Sequence, residues 1–121
     1  MEKKDDASPY EIPHDFPIIP KPGSIGGAMP KILLTEFEGK FYEAGCTPPE
    51  LFVRWDICED LCQKFRLKSF ESKNGKRADM SEIDILKQYY DRLLETNWVT
   101  HEEAIWIFRR VASLLNWESP V

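Results

Sequence analysis

Three cysteines, two histidines and six glycines in 121 residues leave little material for several kinds of chemistry. The odd cysteine count, Cys46, Cys58 and Cys62, argues against a disulfide framework. Structural zinc sites place paired cysteines on turns. Cys58 and Cys62 are four residues apart inside an apolar helical stripe, so they read as reduced, buried, metal-free side chains packing as small hydrophobes. A metal site would also have to recruit Cys46 and either His14 or His101. No apolar run has the length of a membrane span. The first residues, Met1-Glu-Lys-Lys-Asp-Asp, are charged and lead into prolines rather than an apolar core, so no secretory signal is read and a cytoplasmic location is expected. With a net charge of −5, the whole molecule offers no general attraction to nucleic acid or anionic lipid.

Catalytic signatures are missing as well. No serine sits in a G-x-S-x-G elbow. General acid–base work needs a perturbed carboxylate or histidine with an oriented partner. Here Glu59-Asp60, Asp79 with Glu82 and Asp84, and Glu102-Glu103 fall at helix starts or on polar faces, where capping and solubility explain them. His14 and His101 lack a companion nucleophile at a recognisable spacing. The expectation is a chain with no catalytic residues, no metal and no cofactor.

What is present is enough apolar material, 42% of residues with 12% aromatic, for one hydrophobic core. Six of the nine prolines fall within residues 1–30, which excludes helix and central strand there. Tyr10, Ile12, Phe16, Ile18 and Ile19 make the same segment too apolar for a solvated tail. It reads as an extended arm, laid on the domain or ordered by a partner. Two β-prone runs around Glu38-Gly39 predict a hairpin over 31–44. Thr47-Pro48-Pro49-Glu50 opens a helix over 48–68 with the stripe Leu51, Trp55, Cys58, Cys62 and Phe65. Ser81 caps a second helix over 82–97, striped by Leu86, Tyr89, Tyr90, Leu93 and Leu94. Thr100-His-Glu-Glu103 is a further capping box, opening a central helix over 101–116 through Ala104, Ile107, Phe108, Val111, Leu114 and Leu115. Trp98 and Trp117 are expected to close the core at its two ends. The fold class is therefore α+β: a proline-rich arm with a glycine loop over 1–30, then one small domain over 31–121 in which arm and hairpin pack on about three helices.

Between residues 64 and 77, Lys64, Arg66, Lys68, Lys73, Lys76 and Arg77 face the single acid Glu71. Cations at a helix C-terminus favour the dipole, so part of this excess is capping. The rest makes Lys68, Lys73, Lys76 and Arg77 a candidate docking patch for an acidic partner, or for a phosphate backbone. Few aromatic side chains lie nearby to stack bases, which disfavours nucleic acid. Arg110 falls where it can cover Trp106 or pair with Glu103.

The stretch Ser24-Ile-Gly-Gly-Ala-Met-Pro-Lys31, running into Ile-Leu-Leu, is the least generic in the chain. Glycines ahead of a strand let backbone N–H groups approach an anion closely, and Lys31 adds a charge. It is not a P-loop. Over residues 24–34 it resembles the glycine-rich loop of HipA-type toxin kinases, through Ser24, Ile25, Gly27, Ala28 and Lys31, while Met29 stands where that family has glutamine. The resemblance implies that Ser24, Gly27 and Lys31 face a phosphate; with Gly26 they form the candidate phosphate site. The catalytic and metal-binding segments of such a kinase have no counterpart in the rest of the chain. The sequence thus points first to a non-enzymatic protein that binds another protein, as an accessory, inhibitor, immunity or antitoxin-like factor. The alternatives are a phosphate- or nucleotide-binding module using the Gly23–Lys31 loop and, third, nucleic-acid binding through 64–77. No membrane partner is expected.

Overall fold

The computed structural model describes residues 10–18 and 34–121. Its elements are β1 (Thr35–Phe37), β2 (Lys40–Tyr42), α1 (Pro48–Lys73), α2 (Glu82–Thr96) and α3 (His101–Leu115), an α+β arrangement as expected. The chain divides into two compact units, one ending at Asp56 and one beginning at Ile57, and α1 runs through the boundary. Among the described residues no helix is long and apolar enough to cross a membrane.

In the first unit, β1 and β2 pair antiparallel with Thr35 opposite Tyr42 and Phe37 opposite Lys40. Glu38 and Gly39 turn the chain with φ of 50° and 84°, the left-handed pair that matches the twist of a two-residue hairpin. Each strand is three residues long, too little to stand alone in water. Side chains supply the support. Tyr10 from the arm meets Phe37 of β1 and Phe52 of α1 edge-on, both at 6.1 Å between centroids, and Phe52 leans on Trp55 at 5.4 Å. At the start of α1, Glu50 reaches back to the Thr47 N–H at 3.1 Å and accepts the Thr47 hydroxyl at 2.6 Å.

In the second unit the remainder of α1 packs with α2 and α3 around Phe108, which is fully buried. Phe65 of α1 and Tyr90 of α2 meet the Phe108 ring at 5.0 and 5.8 Å. Ile85, Leu86, Leu93, Ala104, Ile107 and Val111 complete the buried set, so α3 is central as the periodicity indicated. Cys58 and Cys62 are free thiols with 0% exposure, as the stripe required. The predicted caps form: Ser81 accepts the Asp84 N–H, and Thr100 and Glu103 exchange both bonds of a capping box. Asn97 and Asn116 close α2 and α3 in the left-handed conformation that C-caps require.

Three expectations need correction. Helix α1 continues to Lys73 rather than stopping at 68. Its inner face carries on through Ser69, fully buried in the next stripe position, where a polar residue breaks the apolar pattern but not the helix. Trp98 is 62% exposed instead of closing the core; the chain turns after Asn97 and buries Val99 in its place. Leu114, in the last turn of α3, is 42% exposed and stands outside the core stripe.

Candidate functional site

The connection between α1 and α2 is folded into successive turns. The Ser72 carbonyl accepts the N–H groups of Gly75 and Arg77, Gly75 accepts that of Ala78, and Arg77 accepts that of Met80. Asn74 turns its amide back onto the Phe70 carbonyl at 2.9 Å. Lys73 donates to the carbonyls of Met80 at 2.9 Å and Ala78 at 3.4 Å, tying the far end of the connection to the end of α1. Lys73 therefore holds the backbone in shape and takes no part in the groove that its neighbours line.

Those neighbours converge. Lys68, Glu71, Ser72, Gly75, Lys76 and Arg77 surround an open groove of about 350 Å³, and Tyr89 of α2 forms its opposite side. The Ser72 and Tyr89 hydroxyls are 2.8 Å apart. Arg77 donates from one terminal nitrogen to Ser72 Oγ at 3.2 Å, while its guanidinium carbon stands 5.6 Å from the Tyr89 ring centre. Arg92, one turn further along α2, brings a second guanidinium to 5.8 Å from the same ring. Phe65 packs on Tyr89 from the core at 5.8 Å. The phenol is thus fixed by a hydroxyl, two cations and an aromatic neighbour, and it in turn positions Ser72 and Arg77.

Of the four docking residues proposed from sequence, Lys68, Lys76 and Arg77 come together and Lys73 is diverted to carbonyls. Sequence reasoning missed Ser72, Tyr89 and Arg92. Periodicity alone places Tyr89 in the core stripe; its half-buried position, apolar ring inward and hydroxyl at the rim, is the usual compromise of an amphipathic side chain. The candidate phosphate residues Ser24, Gly26, Gly27 and Lys31 lie outside the described residues.

A second polar cluster has a structural explanation. Arg110 covers the Trp106 ring at 6.0 Å, as its spacing suggested, and forms an ion pair with Glu59 of α1. The pair is bidentate, at 2.7 and 3.0 Å. Glu103 accepts the Thr100 N–H at 2.9 Å within its capping box. Gln63 also donates to Glu59, at 2.8 Å, and accepts from Arg66 at 3.0 Å. The hydrogen bond from Arg110 holds the Glu59 carboxyl below its ordinary range, against the opposing effect of burial. One turn along, burial pushes the Cys62 thiol up to about 12, aided by the Glu59 charge. Such a thiol remains protonated and is neither nucleophile nor ready ligand. Among the described residues no group of three or more cysteine, histidine or acidic side chains is disposed to hold a metal ion.

The N-terminal unit has a hollow of similar size, lined by Gly45, Pro49, Glu50, Val53 and Arg54. It presents one charge of each sign, and Glu50 is engaged by Thr47. Of these two hollows, the groove beside Tyr89 is the one where positive charge accumulates. The chain matches no family model, no curated protein and no solved structure.

Proposed function

We propose that this chain is a non-enzymatic interaction module that docks an acidic segment of another protein in the groove lined by Lys68, Lys76 and Arg77. The observation that supports this is the convergence of three cations on one preformed hollow in a protein whose net charge is −5. A local field opposite in sign to the rest of the surface steers a complementary patch and rejects others. Lys68 and Lys76 have no partner among the described residues, whereas the neighbouring Lys73 is bound to carbonyls and Lys64 pairs with Asp60. Two free ammonium groups thus flank an arginine already held in place.

The test is fluorescence anisotropy with a labelled glutamate-rich peptide, at low and high salt, on the wild type and on a Lys68→Glu, Lys76→Glu double variant. Binding to the wild type that weakens with salt and disappears in the variant, with an unchanged melting temperature, is the expected result. Equal binding by both proteins, or none by either, removes the reading. Tighter binding of duplex DNA than of the peptide, with a steep salt slope, would favour a nucleic-acid ligand instead.

A further inference from the structure

We infer that the group received by this groove is a phosphomonoester on a side chain of the partner, rather than an ordinary acidic residue; the inference rests on the docking reading above. The groove is built almost wholly of donors. Ser72 and Tyr89 bring two hydroxyl hydrogens, and the single contact between them uses one. Whichever hydroxyl donates, the hydrogen of the other has no acceptor among the described residues and is left for a ligand at the groove, while Ser72 Oγ also accepts from Arg77. Arg77 directs one N–H to Ser72, leaving the rest of its planar fork for oxygen atoms. Lys68 and Lys76 add ammonium groups, and Glu71 is the one anion in the lining. Three cations and one carboxylate give a local charge of +2.

That donor set matches a specific chemistry. A phosphomonoester carries about −1.5 to −2 at neutral pH and presents three acceptor oxygens. A carboxylate carries one charge and two oxygens, so it leaves part of the +2 uncompensated and donors unbonded. The surroundings also separate a phosphorylated side chain from a nucleotide. A base would have no aromatic face to stack on here, because the Tyr89 ring already has Arg77, Arg92 and Phe65 around it. The groove is open to one side, as a site for a group projecting from another chain must be. Arg77 is also preorganised: its backbone is bonded to Ser72 and Met80, and its guanidinium is set against a ring, so little conformational freedom is lost on binding.

The experiment compares four probes by ¹⁵N chemical-shift titration and anisotropy: a short glutamate-flanked peptide with one phosphoserine, the same peptide with serine, the same with glutamate at that place, and inorganic phosphate. The phosphopeptide is expected to bind at least about tenfold tighter than the glutamate peptide, the margin that charge-assisted bonds to a second charge and a third oxygen provide. Shifts should centre on Lys68, Ser72, Lys76, Arg77 and Tyr89. A Ser72→Ala, Tyr89→Phe double variant should lose most of that margin and keep its affinity for the glutamate peptide. If that variant is poorly folded, Lys76→Ala, at an exposed position, should narrow the same margin. Equal binding of the phosphoserine and glutamate peptides overturns the inference and leaves the docking reading standing. Failure of every peptide overturns both, and inorganic phosphate binding as tightly as the phosphopeptide would make the site one for a small anion.

Discussion

Removing a hydroxyl from the core of this protein should make it more stable. Ser69 is fully buried on the inner face of α1, and its Oγ has no hydrogen-bond partner among the described residues. Leaving a hydroxyl unbonded in an apolar environment costs about 1–3 kcal/mol by mutational measures. Ser69→Ala removes that cost, and alanine adds about 0.5 kcal/mol of helix propensity at a mid-helix position. Against this stand the lost contacts of one oxygen atom, on the order of 0.5 kcal/mol. The balance is a gain of at least about 1 kcal/mol, opposite in sign to most core substitutions. Urea denaturation followed by circular dichroism should show a higher midpoint with an unchanged slope, since the surface exposed on unfolding is the same. In thermal melts the midpoint should rise by roughly 3–5 °C for a domain of this size. A loss of more than about 0.5 kcal/mol would refute the reasoning, because it would mean that the hydroxyl is bonded in the folded state.

Phe108→Ala empties the point where Phe65 and Tyr90 meet and should cost about 3–5 kcal/mol in chemical denaturation; a loss below about 1 kcal/mol would show that α3 is not central. The Glu59 carboxyl is held below its ordinary value of 4.5 by Arg110, so the folded state takes up that proton less readily than the unfolded chain. Its stabilisation is present above about pH 4.5 and is lost as pH falls through the depressed folded value. Glu59→Gln should flatten this acid limb and cost about 1 kcal/mol at neutral pH, a modest amount because the Arg110 side chain is 39% exposed; an unaltered acid limb would dissociate the pair from stability. Thr100→Ala removes one side of the α3 capping box and should cost about 1 kcal/mol, read as a lower denaturation midpoint.

Several features were legible in the residues because they depend on nearest neighbours along the chain. A capping box needs only Thr100 and Glu103, three apart, to satisfy two N–H groups, and a two-residue hairpin needs only Glu38 and Gly39 to accept a left-handed φ. The 3.6-residue period placed Cys58, Cys62, Leu86, Leu93, Ile107 and Phe108 on buried faces for the same local reason. Tertiary structure decided what periodicity cannot encode. Ser69 occupies a core position that its polarity disguised, and α1 runs five residues beyond the end at 68 that its apolar stripe predicts. Glu59 pairs with Arg110 from 51 residues away, a contact that exists only when α1 lies beside α3. The basic run from 64 to 77 was plain in composition, yet its division was not. The turns of the connection bring Lys73 to the carbonyls of Ala78 and Met80, and the packing of α2 on α1 brings Tyr89 to Ser72 and Arg77. Local spacing specifies helices, turns and caps through bonds a few residues long; which cations remain available to a ligand depends on acceptors supplied by other segments, and only the folded chain determines those.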